Sequence, residues 1–447
     1  MVRKVVCFIL SMLSALSAQD LKTTVGEAVS TNPLVLERLK SYNSKKEDID
    51  VAKSGYYPKL DLSIGVGTEN TKRTKPSESF DFGVYQNSLT LTQNIFKGFQ
   101  TDYKVKQEEH KIASAAYSYV EQVNNIAFEM VNAYILVIKQ KELLKNSLEN
   151  IQVNQEIFSK VKKLYSSGLT TLSEVNKIEA SLALAKSNYV VQENTLLDYR
   201  YKFEKILGKH LEIEKLTKPE LNIVLPSSLD DAARFAVNNN PSILVSEHNI
   251  KLAKAAYYEK KSPFYPQIDI EVAQLMNKNL SGVEGEDDRF RAMVYLRYNL
   301  FNGFADKSGI QKNAIEIDKE NEIQNSLKRS VIEQISLAWA ANEKLSEQLE
   351  HLQKYQDYAS KTLTLYIKEY DLGRRSLLDL LSAQNDFIGS KSQIINTEHS
   401  LLFAKYRILD SMGVLVPTVI GKEASTPYSQ VELHSKEDIS PVKINNN

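Results

Sequence analysis

Two hydrophobic patterns divide this chain. Between Gly98 and Gly208 there is no proline, and Gly168 is the one glycine. Apolar or small residues fall there at Ile112, Ala116, Tyr119, Val123, Ile126, Met130, Ala133 and Val137, in alternating steps of four and three. That spacing is the seam of a coiled coil, and it resumes at Leu144, Ile151, Phe158, Val161 and Tyr165. The pattern predicts a helix from Thr101 to Ser166, roughly 100 Å long at ~1.5 Å per residue. Asp306 to Tyr370 predicts a second rod, and each rod returns through a shorter helix ending near Gly208 or Gly413.

The second pattern has period two. Leu60, Leu62, Ile64 and Val66 alternate with Asp61, Ser63, Gly65 and Gly67, while Leu89 and Leu91 alternate with Ser88, Thr90 and Thr92. Ile268, Ile270 and Val272 form a third run, and Ala292, Val294, Leu296 and Tyr298 a fourth. Such runs predict half-buried strands near 59–68, 87–96, 267–276 and 290–300. About ten residues is also the length of a tilted membrane β-strand. The segments Thr71–Ser79 and Asn277–Asp288 are polar and suit exposed loops.

The two patterns occur twice, in the same order. Asn32-Pro33 returns as Asn240-Pro241, and Tyr57-Pro58 as Tyr265-Pro266. Asn94 to Phe99 (NIFKGF) matches Asn299 to Phe304 (NLFNGF), Gly168 answers Gly373, and Gly208 answers Gly413. The chain is a tandem duplication. Its expected divisions are a first repeat at 19–208, a linker at 209–231, a second repeat at 232–416 and a flexible polar tail at 417–447. Four strands are too few to close a barrel, and an open sheet leaves unpaired backbone groups that lipid cannot satisfy. Membrane strands here therefore require several chains. The alternative is a soluble four-stranded sheet beside a helical stalk.

Composition narrows the function. The 447 residues hold 56 Lys+Arg and 56 Asp+Glu, and zero net charge argues against a nucleic-acid partner. Residues 1–18 carry Arg3 and Lys4, an apolar run from Val5 to Leu13 and then small residues, the plan of a secretory signal peptide. The single cysteine, Cys7, falls inside it, so the mature protein is expected to hold no disulfide and no thiolate metal site. The six histidines are scattered, with none at metal-ligand spacing, and read as ordinary polar residues. No GxSxG, P-loop or GxGxxG occurs. The expectation is a non-enzyme without cofactor or metal.

The duplicated strand–strand–long helix–turn–helix plan resembles the outer membrane efflux proteins, the TolC-like channels, from about Leu21 to Val416. The family pattern Tyr-x-x-Gly-x-Arg-[Ser/Thr]-x-x-Asp appears as Tyr370, Gly373, Arg375, Ser376 and Asp379, and Gly168-Leu169-x-Thr171 resembles the family's other hairpin tip. The resemblance implies an α+β membrane protein of the Gram-negative outer membrane. In it, a homotrimer closes a 12-stranded β-barrel in outer-membrane lipid, four strands per chain, continued by a periplasmic helical barrel of coiled-coil hairpins.

It also implies roles for the two reversals. Gly168, Leu169, Thr171, Gly373, Arg374 and Ser376 would form the tips that receive a periplasmic adaptor. Ser173 and Glu174 would pair with Tyr370 and Arg375 of a neighbouring hairpin, as a gate of links each contributing about 0.2–1 kcal/mol. Asp379 would make an acidic ring in the pore that favours cations; the second acid common in the family is Ser382 here. The partner in the inner membrane would be an ABC transporter or a proton-driven pump. Leu89–Thr101 and Gly285–Lys307 resemble the type I secretion branch, although Gly303-Phe304 stands where that branch shows Gly-Gly. Alternatives are a drug or solute efflux channel and, from another class, a soluble coiled-coil scaffold.

Overall fold

The computed structural model describes residues 20–74, 77–219, 223–421 and 425–433. The expected signal peptide and the last residues of the expected tail lie outside them. The first half builds helices α1 (Leu21–Thr31) and α2 (Pro33–Lys53), strands β1 (Lys59–Thr74) and β2 (Ser77–Lys97), and helices α3 (Gln100–Ser166) and α4 (Leu172–Leu207). The second half repeats that order with α5 (Leu229–Asn239), α6 (Pro241–Glu259), β3 (Gln267–Lys278), β4 (Glu286–Arg297), α7 (Ala305–Asp371) and α8 (Leu377–Ser411). Two short helices follow, α9 (Leu415–Ile420) and α10 (Ser425–Tyr428).

The repeated Asn-Pro pairs explain how each half closes. Proline at the first helical position costs no hydrogen bond. Asn32 caps α2 by accepting from the Leu34 N–H at 3.0 Å, while its amide donates at 3.0 Å to the Ile206 carbonyl near the end of α4. Asn240 does the same in the second half, accepting from Ser242 N–H and donating to the Ser411 carbonyl, both at 3.0 Å. Each asparagine is buried and ties the entry of its repeat to the exit.

The chain forms two compact units. One comprises the described residues of Met1–Leu39, Ser118–Ile243 and Leu327–Asn447, and the other comprises Lys40–Tyr117 and Leu244–Ser326. In the first, the middle of α3 buries Tyr119, Val123, Ile126, Met130, Ala133 and Val137, joined by Val120, Ala127 and Tyr134 on a wider face. Beyond Val137 the expected seam through Leu144, Ile151, Phe158 and Tyr165 is displaced. The buried line there runs through Asn146, Asn154, Ile157 and Val161. Polar side chains occupy it because they have partners: Asn146 donates to Ser392 Oγ at 2.8 Å and the Ile388 carbonyl at 3.1 Å, and Ser181 donates to Asn154 at 2.8 Å. Buried amides of this kind fix helix register.

The same unit corrects the expected tail. Val416, Pro417, Ile420, Tyr428 and Val431 are buried. Tyr119 donates to the Pro427 carbonyl at 3.1 Å, and Tyr428 donates to Asn124 Oδ1 at 2.7 Å. The segment after Val416 is polar in composition, yet its few apolar residues are spaced to strap it against α3. The expected linker at 209–231 is likewise shortened, because α5 begins at Leu229, with Ser228 accepting from the Asp231 N–H as its cap.

In the second unit the strands form one antiparallel sheet in the order β1-β2-β3-β4. The β1–β2 ladder runs from Lys59↔Thr92 to Thr74↔Ser77, so most of the expected Thr71–Ser79 loop is strand. The sequence of that stretch is polar throughout and shows no alternation, while the backbone pairing continues. The register places Leu60, Leu62, Ile64 and Val66 on one face with Leu89, Leu91, Val272, Val294 and Leu296. That face is open: Leu60 is 63% exposed and Val66 72%. The other face carries Asp61, Ser63 and Gly65, with Arg291 donating to Glu271 at 2.8 Å and Arg297 to Asp269 at 2.6 Å. β1 and β4 each have one unpaired edge.

Both strand-to-helix junctions use two successive left-handed residues, Gly98–Phe99 (φ +58°, +63°) and Gly303–Phe304 (φ +55°, +64°). A Cβ on Gly98 would lie 2.4 Å from the Ser262 carbonyl oxygen. Phenylalanine in this region costs about 1–2 kcal/mol. The Phe99 ring offsets some of that by packing edge-on to Phe96 (5.2 Å) and Tyr265 (5.8 Å), and Phe304 packs edge-on to Phe301 at 5.3 Å.

Candidate functional site

The two reversals are built alike. At the end of α3, the Leu169 N–H reaches the Leu164 carbonyl and the Gly168 N–H the Tyr165 carbonyl, both at 2.9 Å. At the end of α7, the Arg374 N–H reaches Glu369 at 2.8 Å and the Gly373 N–H reaches Tyr370 at 2.9 Å. These are Schellman turns, which need a left-handed residue after the helix. Gly168 (φ +71°) and Gly373 (φ +69°) supply it.

The helices that leave the turns start differently. Ser376 caps α8 by accepting from the Asp379 N–H at 3.2 Å, and its hydroxyl donates to Asp379 Oδ2 at 2.9 Å. Asp379, the expected pore acid, is thus also a capping carboxylate at the positive end of a helix. Thr171 occupies the cap position of α4 without a side-chain bond. Instead Thr170 donates to the Glu174 carboxylate.

Behind the turns the hairpins share a small core. Ile157, Val161, Val175, Ile178, Leu377, Leu380 and Leu381 are buried together, flanked by Phe158, Leu363, Tyr366 and Tyr370. Packing raises the Tyr370 phenol above its ordinary range, and the neighbouring Glu174 and Asp371 carboxylates add to the shift. Glu174 is thus near enough for its charge to reach Tyr370, while the hydrogen bond to its carboxylate comes from Thr170. Arg375 does not join them. The Schellman turn folds it back over the last turns of α7, where Nε donates to Glu369 at 2.9 Å and the guanidinium lies 4.1 Å from the centre of the Tyr366 ring. Within the chain its carboxylate partner is Glu369. Ser173, Leu169, Thr171 and Arg374 are exposed, Leu169 to 74%.

Sequence reasoning missed several cross-hairpin links. Lys160 of α3 pairs with Asp371 at the end of α7. Farther along, Lys391 of α8 pairs with Glu149 of α3, and Gln384 donates to Asn150 at 3.0 Å. His399, expected to be an ordinary polar residue, is buried with Nε2 2.9 Å from Glu142. Burial pushes the Glu142 carboxyl up, but His399 and Lys218 outweigh it and hold the group below its ordinary value. Opposite charges at helical spacing on separate segments carry no local signal, which is why these pairs were not legible. Among the described residues no group of His, Cys, Asp or Glu could hold a metal ion, and no helix is long and apolar enough to cross a membrane.

Comparison with known proteins gives this arrangement a family. The outer membrane efflux protein BepC of Brucella suis is 21% identical over 85% of this chain and 82% of its own length. The proteases secretion protein PrtF of Dickeya chrysanthemi is 17% identical over 83% of each chain. The crystal structure of the Campylobacter jejuni CmeC outer membrane channel superposes with a TM-score of 0.78 at 14% identity, covering 92% of this chain and 90% of that one. The family model "Outer membrane efflux protein" matches residues 24–209 and 234–414, one span in each half of the duplication, and the chain belongs to that family.

Proposed function

We propose that three copies of this chain form the exit duct of a tripartite export machine, most simply one for type I protein secretion. The observation that carries this reading is the sheet. It has two unpaired edges, a polar face, and an exposed apolar face running from Leu60 to Val66 on β1 and through Val294 and Leu296 on β4. Three such sheets joined edge to edge would make the 12-stranded barrel with its apolar face to lipid, since a closed barrel satisfies every backbone group. The helical hairpins would then form the periplasmic tunnel, with Gly168 and Gly373 turning at its inner end.

In this reading the tips have two tasks. Exposed Leu169, Thr171, Arg374 and Ser376 meet a periplasmic adaptor, which connects to an inner-membrane ABC transporter. Ser173, Glu174, Tyr370 and Arg375 hold the resting duct shut through links to neighbouring hairpins, and Asp379 lines the pore as a ring of three. Support for protein cargo comes from Leu89–Thr101 and Gly285–Lys307 and from a relative named for protease secretion. A second reading, efflux of small molecules with a proton-driven pump, is supported by a relative named as an efflux protein. Crosslinking through a tip residue in cells, followed by identification of the adaptor and its inner-membrane partner, separates them. An ABC transporter supports secretion, a proton-driven pump supports efflux, and capture of neither contradicts the duct.

A further inference from the structure

The β3–β4 loop does not continue away from the sheet. After Lys278 the chain takes left-handed conformations at Asn279 (φ +56°), Ser281 (φ +58°) and Gly282 (φ +71°), and folds back through a short 3-10 turn at Leu280–Gly282. Two polar contacts tie it to the strands, and two more brace the groups that make them. Asn279 Nδ2 donates to the Gly83 carbonyl of β2 at 3.0 Å, and Asn279 Oδ1 accepts from the Gly285 N–H at 2.9 Å. The Ser281 N–H donates to Glu69 Oε2 of β1 at 3.2 Å, while Thr71 donates to the other oxygen of the same carboxylate at 2.7 Å.

Register decides which side of the sheet the loop covers. The β1–β2 ladder runs without a bulge from Lys59 to Thr74. Alternation therefore places Glu69 and Thr71 on the face of Asp61, Ser63 and Gly65, opposite the apolar face of Leu60 to Val66. Gly282 lies directly on that polar face: a Cβ there would sit 3.0 Å from the Thr71 side chain. Both residues lie beyond Val66, at the end of the sheet away from the helices. Left-handed backbone at Asn279 and Ser281 is uncommon for residues with side chains, so the folded-back course is enforced by its contacts.

We propose that this loop is a lid on the lumen side of the barrel mouth, and that Glu69, Thr71, Asn279 and Gly282 set the size of what passes outward. The proposal rests on the three-chain barrel above, in which the polar face lines the lumen and three lids converge. Glu69 is the fastening point, because one carboxylate holds both the loop backbone and the strand hydroxyl.

The mature chain is expected to hold no cysteine, so single cysteines report cleanly. Ser63→Cys sits on the polar face below the lid, and its reaction with a bulky polyethylene glycol maleimide added outside intact cells reads the aperture. Adding Glu69→Ala with Asn279→Ala should speed labelling about tenfold, the effect of losing one or two net hydrogen bonds. In a second variant, Thr71→Cys with Gly282→Cys should form an internal disulfide under mild oxidation and slow labelling of a reporter at Ser63. Unchanged labelling in the first variant and no crosslink in the second would overturn the lid. Trimer migration on an unheated gel is read in each case. Lost trimer in the parent Ser63→Cys protein counts against the three-chain barrel, whereas intact trimer with unchanged labelling counts against the lid alone.

Discussion

Arg375 donates to Glu369 at 2.9 Å, so the arginine of the second tip is held by its own hairpin. Tyr366 lies beneath the guanidinium and completes the seat. If Arg375 also links to a neighbouring chain in the closed duct, Glu369 presents it in the required pose. Arg375→Ala should then raise single-channel conductance in a planar bilayer without changing trimer yield. Glu369→Gln should do the same to a smaller extent. Glu174→Gln with Tyr370→Phe should open the channel more than either alone, because exposed links are individually weak. Wild-type conductance in all of these variants would remove the gate from these positions.

Asp379 is expected to act twice, as a helix cap and as a pore charge. Ser376→Ala should lower thermal stability by ~1 kcal/mol through loss of the cap and leave ion preference nearly unchanged. Asp379→Asn should reduce cation preference in reversal-potential measurements. Unaltered selectivity in Asp379→Asn would reduce this residue to its capping role.

Gly168→Val or Gly373→Val places a β-branched residue at φ +71° or +69°. The strain is about 1–2 kcal/mol and falls on the reversal, far along the chain from the strands. Export of cargo should drop while heat-modifiable trimer persists in the outer membrane. Full export in both variants would mean the tips are not where the machine docks.

Asp410 gives a pH prediction. Packing around its carboxyl pushes it from 3.8 up to about 7, with Arg407 opposing the shift, and Tyr428 lies close enough to feel its charge. The folded chain therefore binds this proton more tightly than the unfolded one. The resulting stability is fully present below about pH 4 and is lost as the pH rises to about 7. Asp410→Asn should gain on the wild type as pH goes from 5 to 8, by on the order of 1–3 kcal/mol. A difference between the two proteins that does not change with pH would contradict the shift.

Much of the fold is legible in the sequence, for physical reasons. The rods announce themselves through a seam without proline, and the strands through alternation where one face meets an apolar surface. Legibility ends where those causes end. β1 outruns its alternation because its residues turn polar beyond Val66, whereas β2 continues past the predicted run through a further alternation of Phe80, Phe82 and Val84 with Asp81 and Gly83. α2 was missed because its sequence, rich in Lys and Glu, shows no apolar stripe. The distal seam lies one face away from the expected one because Asn146 and Asn154, polar in isolation, form hydrogen bonds to other helices. At the tips, Gly168, Gly373 and the cap Ser376 follow from local backbone rules. The Arg375–Glu369 seat and the Lys160–Asp371 pair do not, because one depends on a turn's handedness and the other on packing between segments two hundred residues apart.

In the proposed trimer, two further copies of the chain complete the four strands and their two open edges. Native mass spectrometry of the detergent-purified outer-membrane protein tests it most directly. A shared barrel requires three chains per particle, surviving in detergent and separating on heating. A folded monomer of one chain, with its strands protected from amide exchange, would contradict it.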